Sequence, residues 1–157
     1  MSATIFEKVW RDPTSPFLYK NEEVGVGIVA DAFPKFPDQV VLIPRDGVTG
    51  NEKASISDLS LKTRMGLVSL MSCMDKKMST FSGVPEVRAI SHVEGFAVPN
   101  HPHIVMFPAL RGESIDFFKP SRHADEEVRK MLVARTLKNL ALTDVEKAKL
   151  DKELRSI

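Results

Sequence analysis

The sequence has 157 residues, of which 43% are hydrophobic and 27% are charged, and its formal net charge is +1. This length suits one domain with a buried core, and the near-neutral charge gives no reason to expect nucleic acid or a membrane surface as a partner. With Cys73 as the only cysteine no internal disulfide is possible, and no apolar run or N-terminal segment is typical of a membrane span or a secretory signal, so we expect a cytoplasmic protein.

The first part of the chain predicts a short helix followed by three strands. Residues 5–10 carry apolar side chains at helical spacing, and prolines end any helix soon afterwards. Gly25 and Gly27 alternate in the second strand, which indicates close approach by a ligand or by another element; we favour close packing alone. The predicted strands cover residues 17–19, 24–30 and 39–44.

The middle of the chain predicts a long amphipathic helix and a fourth strand. Ser57 and Asp58 are suitable N-cap residues. After them, apolar residues recur every three or four positions as far as Phe81, which one helix of about 24 residues accounts for. Residues 86–91 are then predicted to form the strand.

The C-terminal part predicts two helices. Acidic residues at 125–127 favour a helix start, and Thr143 and Glu146 form a capping box for the last helix. Together with the strands, this pattern indicates an α+β fold with an antiparallel sheet. We expect a single domain with its core in about residues 1–110 and a helical extension in about residues 121–157.

Two histidines lie in the apolar run 98–108, which is typical of a buried strand. Because side chains alternate in a strand, His101 and His103 would share one face with Val105 and could act together on one small target. Ordinary core or surface histidines are the alternative. A metal site would need three or four ligands, and only His92 is near, so we predict no metal.

The order of these signals resembles the histidine-triad (HIT) superfamily of nucleotidyl hydrolases and transferases. In that family an aromatic residue of the first helix lines the nucleobase pocket, which matches Phe6. An aspartate at a strand end holds the ribose hydroxyls, which matches Asp31. The resemblance implies a HIT-like sheet of about five strands packed with one long helix. It rests on residues 5–9, 29–34, 34–44 and 95–108.

The histidine motif departs from the family pattern His-φ-His-φ-His-φ-φ, where φ is apolar and the middle histidine is the nucleophile. Val105 replaces the third histidine, and Gln39 replaces the histidine of the family's Pro-Gly-His turn. The spacing from Gly95 to His101 is one residue longer than in the family, which leaves the register of Asn100 open. The Asn-x-His-Pro-His motif of the galactose-1-phosphate uridylyltransferase branch is closer to His101-Pro-His103. That branch has a glutamine in place of Val105.

The resemblance implies covalent catalysis at the α-phosphate of a nucleoside phosphate derivative, with a purine nucleotide favoured and no cofactor. His103 would attack, and the nucleotidyl-histidine would pass to water or another acceptor. The backbone carbonyl of His101 would hold the second ring nitrogen of His103. Since valine cannot donate to the phosphate, Gln39, His92 and Asn100 are candidate donors.

Other interpretations remain open at this point. Ordinary structural roles are the alternative for Asp31, Gln39 and His92. The chain as a whole is either an enzyme, a nucleotide-binding protein with weak or lost catalysis, or a protein-interaction module that uses Phe117, Phe118 and the terminal helices. HIT relatives commonly form twofold dimers, so we also expect a homodimer.

Overall fold

The structure, a computed structural model, describes residues 5–34, 36–48, 54–80, 86–91, 101–109 and 125–157. Within these ranges the chain forms four α-helices and five strands. They are α1 Ile5–Arg11, β1 Phe17–Asn21, β2 Val26–Ala30, β3 Val40–Pro44, α2 Leu61–Ser79, β4 Glu86–Ser91, β5 Ile104–Ala109, α3 Glu126–Asn139 and α4 Asp144–Arg155.

The five strands form one antiparallel sheet in the order β1-β2-β3-β5-β4. β5 lies between β3 and β4, so the segment that follows the two histidines occupies an inner strand of the sheet. Val105 of β5 pairs with Val41 of β3 and with Ile90 of β4. The predicted α+β fold with an antiparallel sheet and a long helix is therefore confirmed.

Alternate residues of the strands pack on opposite faces of the sheet. Ile104 and Met106 lie in the larger apolar cluster, which includes residues of α2 and α4. Val105 and Phe107 lie in a smaller cluster with Trp10 of α1. The predicted alternation along this strand is confirmed, and it directs Val105 toward the face that α1 covers.

Two predicted boundaries are wrong. Ser57 and Asp58 belong to a short 3₁₀ turn, and the N-cap of α2 is Ser60, whose hydroxyl accepts from the Thr63 N–H at 3.2 Å. The helix has 19 residues, so it is shorter than expected. The histidine strand begins only at Ile104, because the proline between the histidines has no N–H to donate to a neighbouring strand.

Of the two glycines expected in the second strand, Gly27 lies in β2 and reflects close packing as expected, whereas Gly25 precedes the strand, which begins only at Val26. A Cβ atom on Gly27 would lie 2.9 Å from Cε1 of Phe17 and 3.1 Å from Cζ3 of Trp10. Gly25 has a φ of 76°, in the left-handed region that favours glycine. Gly27 therefore lets Trp10 of the N-terminal helix and the Phe17 ring of β1 pack directly against β2, whereas Gly25 serves the turn before the strand.

The C-terminal helices begin where the sequence predicts. The Asp125 side chain accepts from backbone N–H groups of the first turn of α3, and Thr143 and Glu146 form the capping box of α4. The Tyr19 hydroxyl donates to Asp151 of α4, which ties this helix to β1. Among the helices of the described residues, none is long and apolar enough to cross a membrane.

Candidate functional site

The His101 side chain is fully buried directly ahead of β5. Its Nε2–H donates to the Pro44 carbonyl oxygen at 2.8 Å, at the end of β3. Burial lowers the pKa of His101, and the hydrogen bond to Pro44 opposes part of that shift. A neutral ring with its proton on Nε2 is therefore the form that this environment favours.

The His103 ring has a defined tautomer. Its Nδ1 lies 3.0 Å from the His101 carbonyl oxygen, and because a carbonyl only accepts, the Nδ1 carries the hydrogen. The hydrogen bond that the family resemblance implied is thus present. In the neutral ring this leaves the lone pair on Nε2, which is the arrangement a nucleophilic imidazole requires.

Phe6 of α1 packs against both imidazoles. Its ring centroid lies 5.4 Å from that of His101 and 4.8 Å from that of His103, with both pairs tilted. Edge and tilted contacts of this kind are favourable between aromatic rings. The N-terminal helix therefore helps to fix the orientation of the two histidines.

A cavity of about 370 Å³ lies between α1 and this face of the sheet. Its size is within the range of small-molecule sites, about 300–1,000 Å³. Most of its wall is apolar, so the few polar side chains would determine how a ligand is oriented. The lining residues are Ile5, Phe6, Val9, Ser15, Pro16, Val29, Ala30, Asp31, Ala32, Phe33, Val41, His103 and Val105.

The structure brings Asp31 and Gln39 together. One oxygen of the half-buried Asp31 carboxylate accepts from the Phe33 N–H at 2.9 Å, and the other accepts from Nε2 of Gln39 at 2.6 Å. The Asp31 N–H also donates to the Gln39 carbonyl oxygen at 3.1 Å. The carboxylate is therefore held in a fixed orientation at the edge of the cavity.

Gln39, one of the candidate donors to the phosphate, lies beside Asp31. It is buried, it does not line the cavity, and an N–H of its side chain is directed to Asp31. The register of the β2–β3 hairpin explains this, because Ala30 pairs with Val40 and the next residues outward face each other. Asp31 directly follows one predicted strand and Gln39 begins the next, and this arrangement is the sequence signal that would have revealed their contact.

Val105, two residues after His103, presents an apolar wall to the cavity. Its side chain is 2% exposed and lines the cavity with Val41 on the neighbouring strand. A valine side chain offers no hydrogen-bond donor to a ligand at this place. The other candidate donors, His92 and Asn100, lie outside the described residues, as do Phe117 and Phe118 of the interaction hypothesis.

Two residues near the cavity were not singled out from the sequence. Phe33 lines the cavity while remaining 61% exposed, and the Arg129 guanidinium carbon lies 4.7 Å from the centre of its ring. Arg129 is on α3, far along the chain, so no local pattern could associate it with this site. Across the described ranges, no three His, Cys, Asp or Glu side chains come together as a group that could hold a metal.

Solved structures of histidine-triad proteins share this fold. A hypothetical histidine triad nucleotide-binding protein from Sulfolobus tokodaii is 16% identical, with a TM-score of 0.60 over 86% of this chain and 90% of that one. A Zn-bound histidine triad family protein from Mycobacterium smegmatis is 17% identical, with a TM-score of 0.61 over 88% and 95% of the two chains. A HIT family hydrolase from Legionella pneumophila is 16% identical, with a TM-score of 0.50 over 74% and 98%.

These likenesses confirm the expected HIT-like fold. No protein-family model matches the sequence, and no curated protein matches it significantly. The identities of 16% and 17% are low, so the common feature is the backbone architecture, and the chemistry has to be argued from this chain's own side chains.

Proposed function

We propose that this protein binds a nucleotide and acts at the α-phosphate of a nucleoside phosphate derivative, as a HIT-type phosphohydrolase or nucleotidyltransferase. The reaction would pass through a covalent nucleotidyl-histidine on His103. Nε2 of His103 forms a bond to phosphorus while the bond from phosphorus to the leaving group breaks. Water or another acceptor then takes the nucleotidyl group and releases the imidazole.

The observation that carries this proposal is the state of the His103 ring. Its Nδ1–H is held by the His101 carbonyl at 3.0 Å, and the residue lines the cavity. The neutral ring can attack without prior deprotonation. Burial lowers the pKa of His101, so the neighbouring imidazole adds no positive charge that would disfavour a cationic phosphohistidine.

The remaining cavity walls suit a nucleoside. Phe6 and the aliphatic side chains around it offer a flat apolar surface to a base, for which we favour a purine. Asp31 is the carboxylate of the lining, and it would accept hydrogen bonds from ribose hydroxyls. Its two bonds to Phe33 and Gln39 would hold it ready for this role without reorganisation.

Three further features belong to the proposal. The His-Pro-His motif would have Val105 as its degenerate third position and would be closer to the galactose-1-phosphate uridylyltransferase branch than to the general family pattern. His92 and Asn100 remain candidate donors to the phosphate. We also propose that the protein acts as a homodimer in the cytoplasm and without a cofactor.

A second candidate function is nucleotide binding with weak or lost catalysis. Val105 favours it, because a phosphate beside His103 would meet methyl groups where a donor is needed. Losing one such donor typically lowers the rate by about 100- to 1000-fold. Gln39 directs an amide N–H to Asp31, which reduces its availability to the phosphate.

The deciding experiment traps the intermediate. The protein is incubated with an AMP ester, whose leaving group departs in the first step, the reaction is quenched before water releases the nucleotidyl group, and the adduct is mapped by mass spectrometry. We expect adenylyl on His103 and none on His101. His103→Asn, which keeps a side-chain amide near the His101 carbonyl, should bind AMP but form no adduct.

The outcomes separate the two functions. AMP binding measured by calorimetry without an adduct or turnover would support the binding protein and contradict the enzyme. An adduct that still forms in His103→Asn would show that another group is the nucleophile. If neither AMP nor another purine nucleotide binds, both functions are wrong.

A further inference from the structure

A second cleft lies directly beside the first cavity and has a volume of about 640 Å³. Four residues line both spaces, so a ligand in the first can extend into the second without crossing the core. One side of the second cleft is formed by α3, including Arg129 and Leu137. The shared residues are Ser15, Pro16, Ala32 and Phe33.

The connection lies at the proposed sugar end of the nucleotide. Asp31, the proposed ribose ligand, immediately precedes the shared residues Ala32 and Phe33. His103 lines the first cavity but not the second cleft. A group that reaches the second cleft would therefore be attached to the ribose, whereas the leaving group would stay on the phosphate beside His103.

The Arg129 guanidinium favours an anionic group in this cleft. Phe33 connects it to the sugar end, since the Phe33 N–H donates to Asp31 at 2.9 Å and the Phe33 ring lies 4.7 Å from the Arg129 guanidinium carbon. A guanidinium binds phosphate oxygens in a bidentate manner. Lys130 also lines the cleft, but carboxylate oxygens of Glu126 and Glu127 each lie 3.6 Å from its Nζ and offset its charge, so Arg129 is the cation on which the preference rests.

The carboxylate of Asp31 would repel an anion nearby, but two contacts reduce this effect. Each of its oxygens already accepts a hydrogen bond, from the Phe33 N–H and from Gln39. These donors place positive partial charge at the carboxylate. A ribose could donate one free hydroxyl to Asp31. An acidic group on its other hydroxyl would then reach Arg129 in the second cleft.

We propose that the second cleft is a subsite for a phosphoryl group on the 2′- or 3′-hydroxyl of the bound nucleotide, with Arg129 as the residue that binds it. The substrate class would then be a nucleoside phosphate derivative that carries a second phosphate on its ribose. This inference rests on the proposed function, because it needs the nucleoside in the first cavity with its sugar at Asp31.

The test compares AMP with adenosine 2′,5′-bisphosphate and adenosine 3′,5′-bisphosphate by isothermal titration calorimetry. We expect one of the two bisphosphates to bind about tenfold more tightly than AMP, on the scale of a hydrogen bond to a charged group. Arg129→Gln should abolish that advantage. Arg129→Lys, which keeps the charge but loses the bidentate geometry, should retain part of it.

The matched control is Arg135→Gln, which makes the same substitution at an exposed residue of α3 that lines neither space. This variant should keep the full advantage of the bisphosphate. Thermal unfolding of each variant checks that the helix is intact. The ratio of bisphosphate to AMP affinity is the readout, because a general effect of Arg129 on Phe33 would change both affinities.

Two results would overturn the subsite. The first is that neither bisphosphate binds more tightly than AMP to the unchanged protein. The second is that the advantage persists in Arg129→Gln. In both cases AMP binding would leave the proposed function standing, whereas absence of binding by all three nucleotides would remove the function and the subsite together.

Discussion

The two faces of the sheet are built from alternate residues of the same strands but are covered very differently. On one face the 19-residue helix α2 packs its buried residues against the strands, together with α4. On the other face the 7-residue helix α1 covers the sheet, and a cavity of about 370 Å³ remains. A long helix fills the first face, whereas the short one leaves room for a ligand.

The α2 face of the sheet mainly supports stability, whereas the α1 face mainly supports ligand binding. Substitutions on the α2 face should change the free energy of unfolding with little effect on ligands. Substitutions on the α1 face should change binding or turnover more than stability. Four predictions test or sharpen this division, in order of decreasing effect.

Leu70→Ala should lower the free energy of unfolding by about 2–5 kcal/mol, because it removes a fully buried side chain from the α2 face and leaves a cavity. Urea denaturation measures this. Val68→Ala, on the same helix but 61% exposed, should stay within about 0.5 kcal/mol of the unchanged protein. An equal loss in both variants would show that packing of Leu70 against the sheet does not account for its contribution to stability.

Val105→His should raise turnover by about 100- to 1000-fold, if the missing donor to the phosphate limits the rate. The side chain lines the cavity beside His103, so an imidazole at residue 105 would point toward the ligand. Steady-state kinetics with an AMP ester measures the effect. Val41→His, which adds an imidazole to the same cavity from the neighbouring strand, should give no such gain.

A folded Val105→His protein whose turnover is unchanged would show that this donor is not limiting. Two explanations would then remain. Either another residue of the chain donates to the phosphate, or the protein binds the nucleotide without catalysis. Urea denaturation is needed beside the kinetics, because an imidazole placed between Val41 and Ile90 carries a desolvation cost.

The pH dependence of the free energy of unfolding should reveal the lowered pKa of His101. Burial holds its pKa below the ordinary value of 6.5, so the unfolded chain binds the proton more readily. Its contribution is complete above about pH 6.5 and is lost as the pH falls below that value, with a slope of at most about 1.4 kcal/mol per pH unit. His101→Gln should give a flatter profile in urea denaturation between about pH 5 and 7.5.

Parallel profiles for His101→Gln and the unchanged protein would contradict this prediction. The slope is the relevant quantity, because the substitution also changes the hydrogen bond to Pro44 and can shift the whole curve. The same experiment tests whether His101 is neutral near pH 7, as the proposed chemistry at His103 requires.

Gln39→Leu should weaken AMP binding by about fivefold, or ~1 kcal/mol, since Asp31 loses one of the donors that hold its carboxylate. Calorimetry measures this change. Asn139→Leu is the matched control, because it removes an amide that donates to the adjacent turn residue Asp38 at 3.2 Å and leaves Asp31 alone. Equal weakening in both variants would mean that general disturbance of this turn, and not Asp31, is responsible.

The sequence alone predicted the features that depend on neighbours along the chain. The strand order in sequence, the capping box at Thr143 and Glu146, and the opposite faces of Ile104 and Val105 all follow from local spacing. Together they were enough to indicate the α+β fold, whereas the resemblance to histidine-triad proteins came from the residues at 5–9, 29–34, 34–44 and 95–108. The N-cap at Ser60 was missed, because two other suitable residues stand just before it.

Only the tertiary structure decided what surrounds the histidines. The bond from Gln39 to Asp31 depends on the register of a hairpin, and the contact of Arg129 with Phe33 depends on where α3 packs. The volume of the cavity depends on how much of the sheet α1 covers. Such contacts join residues distant in sequence, so their geometry is fixed by packing of whole elements and leaves no local periodicity for a sequence to display.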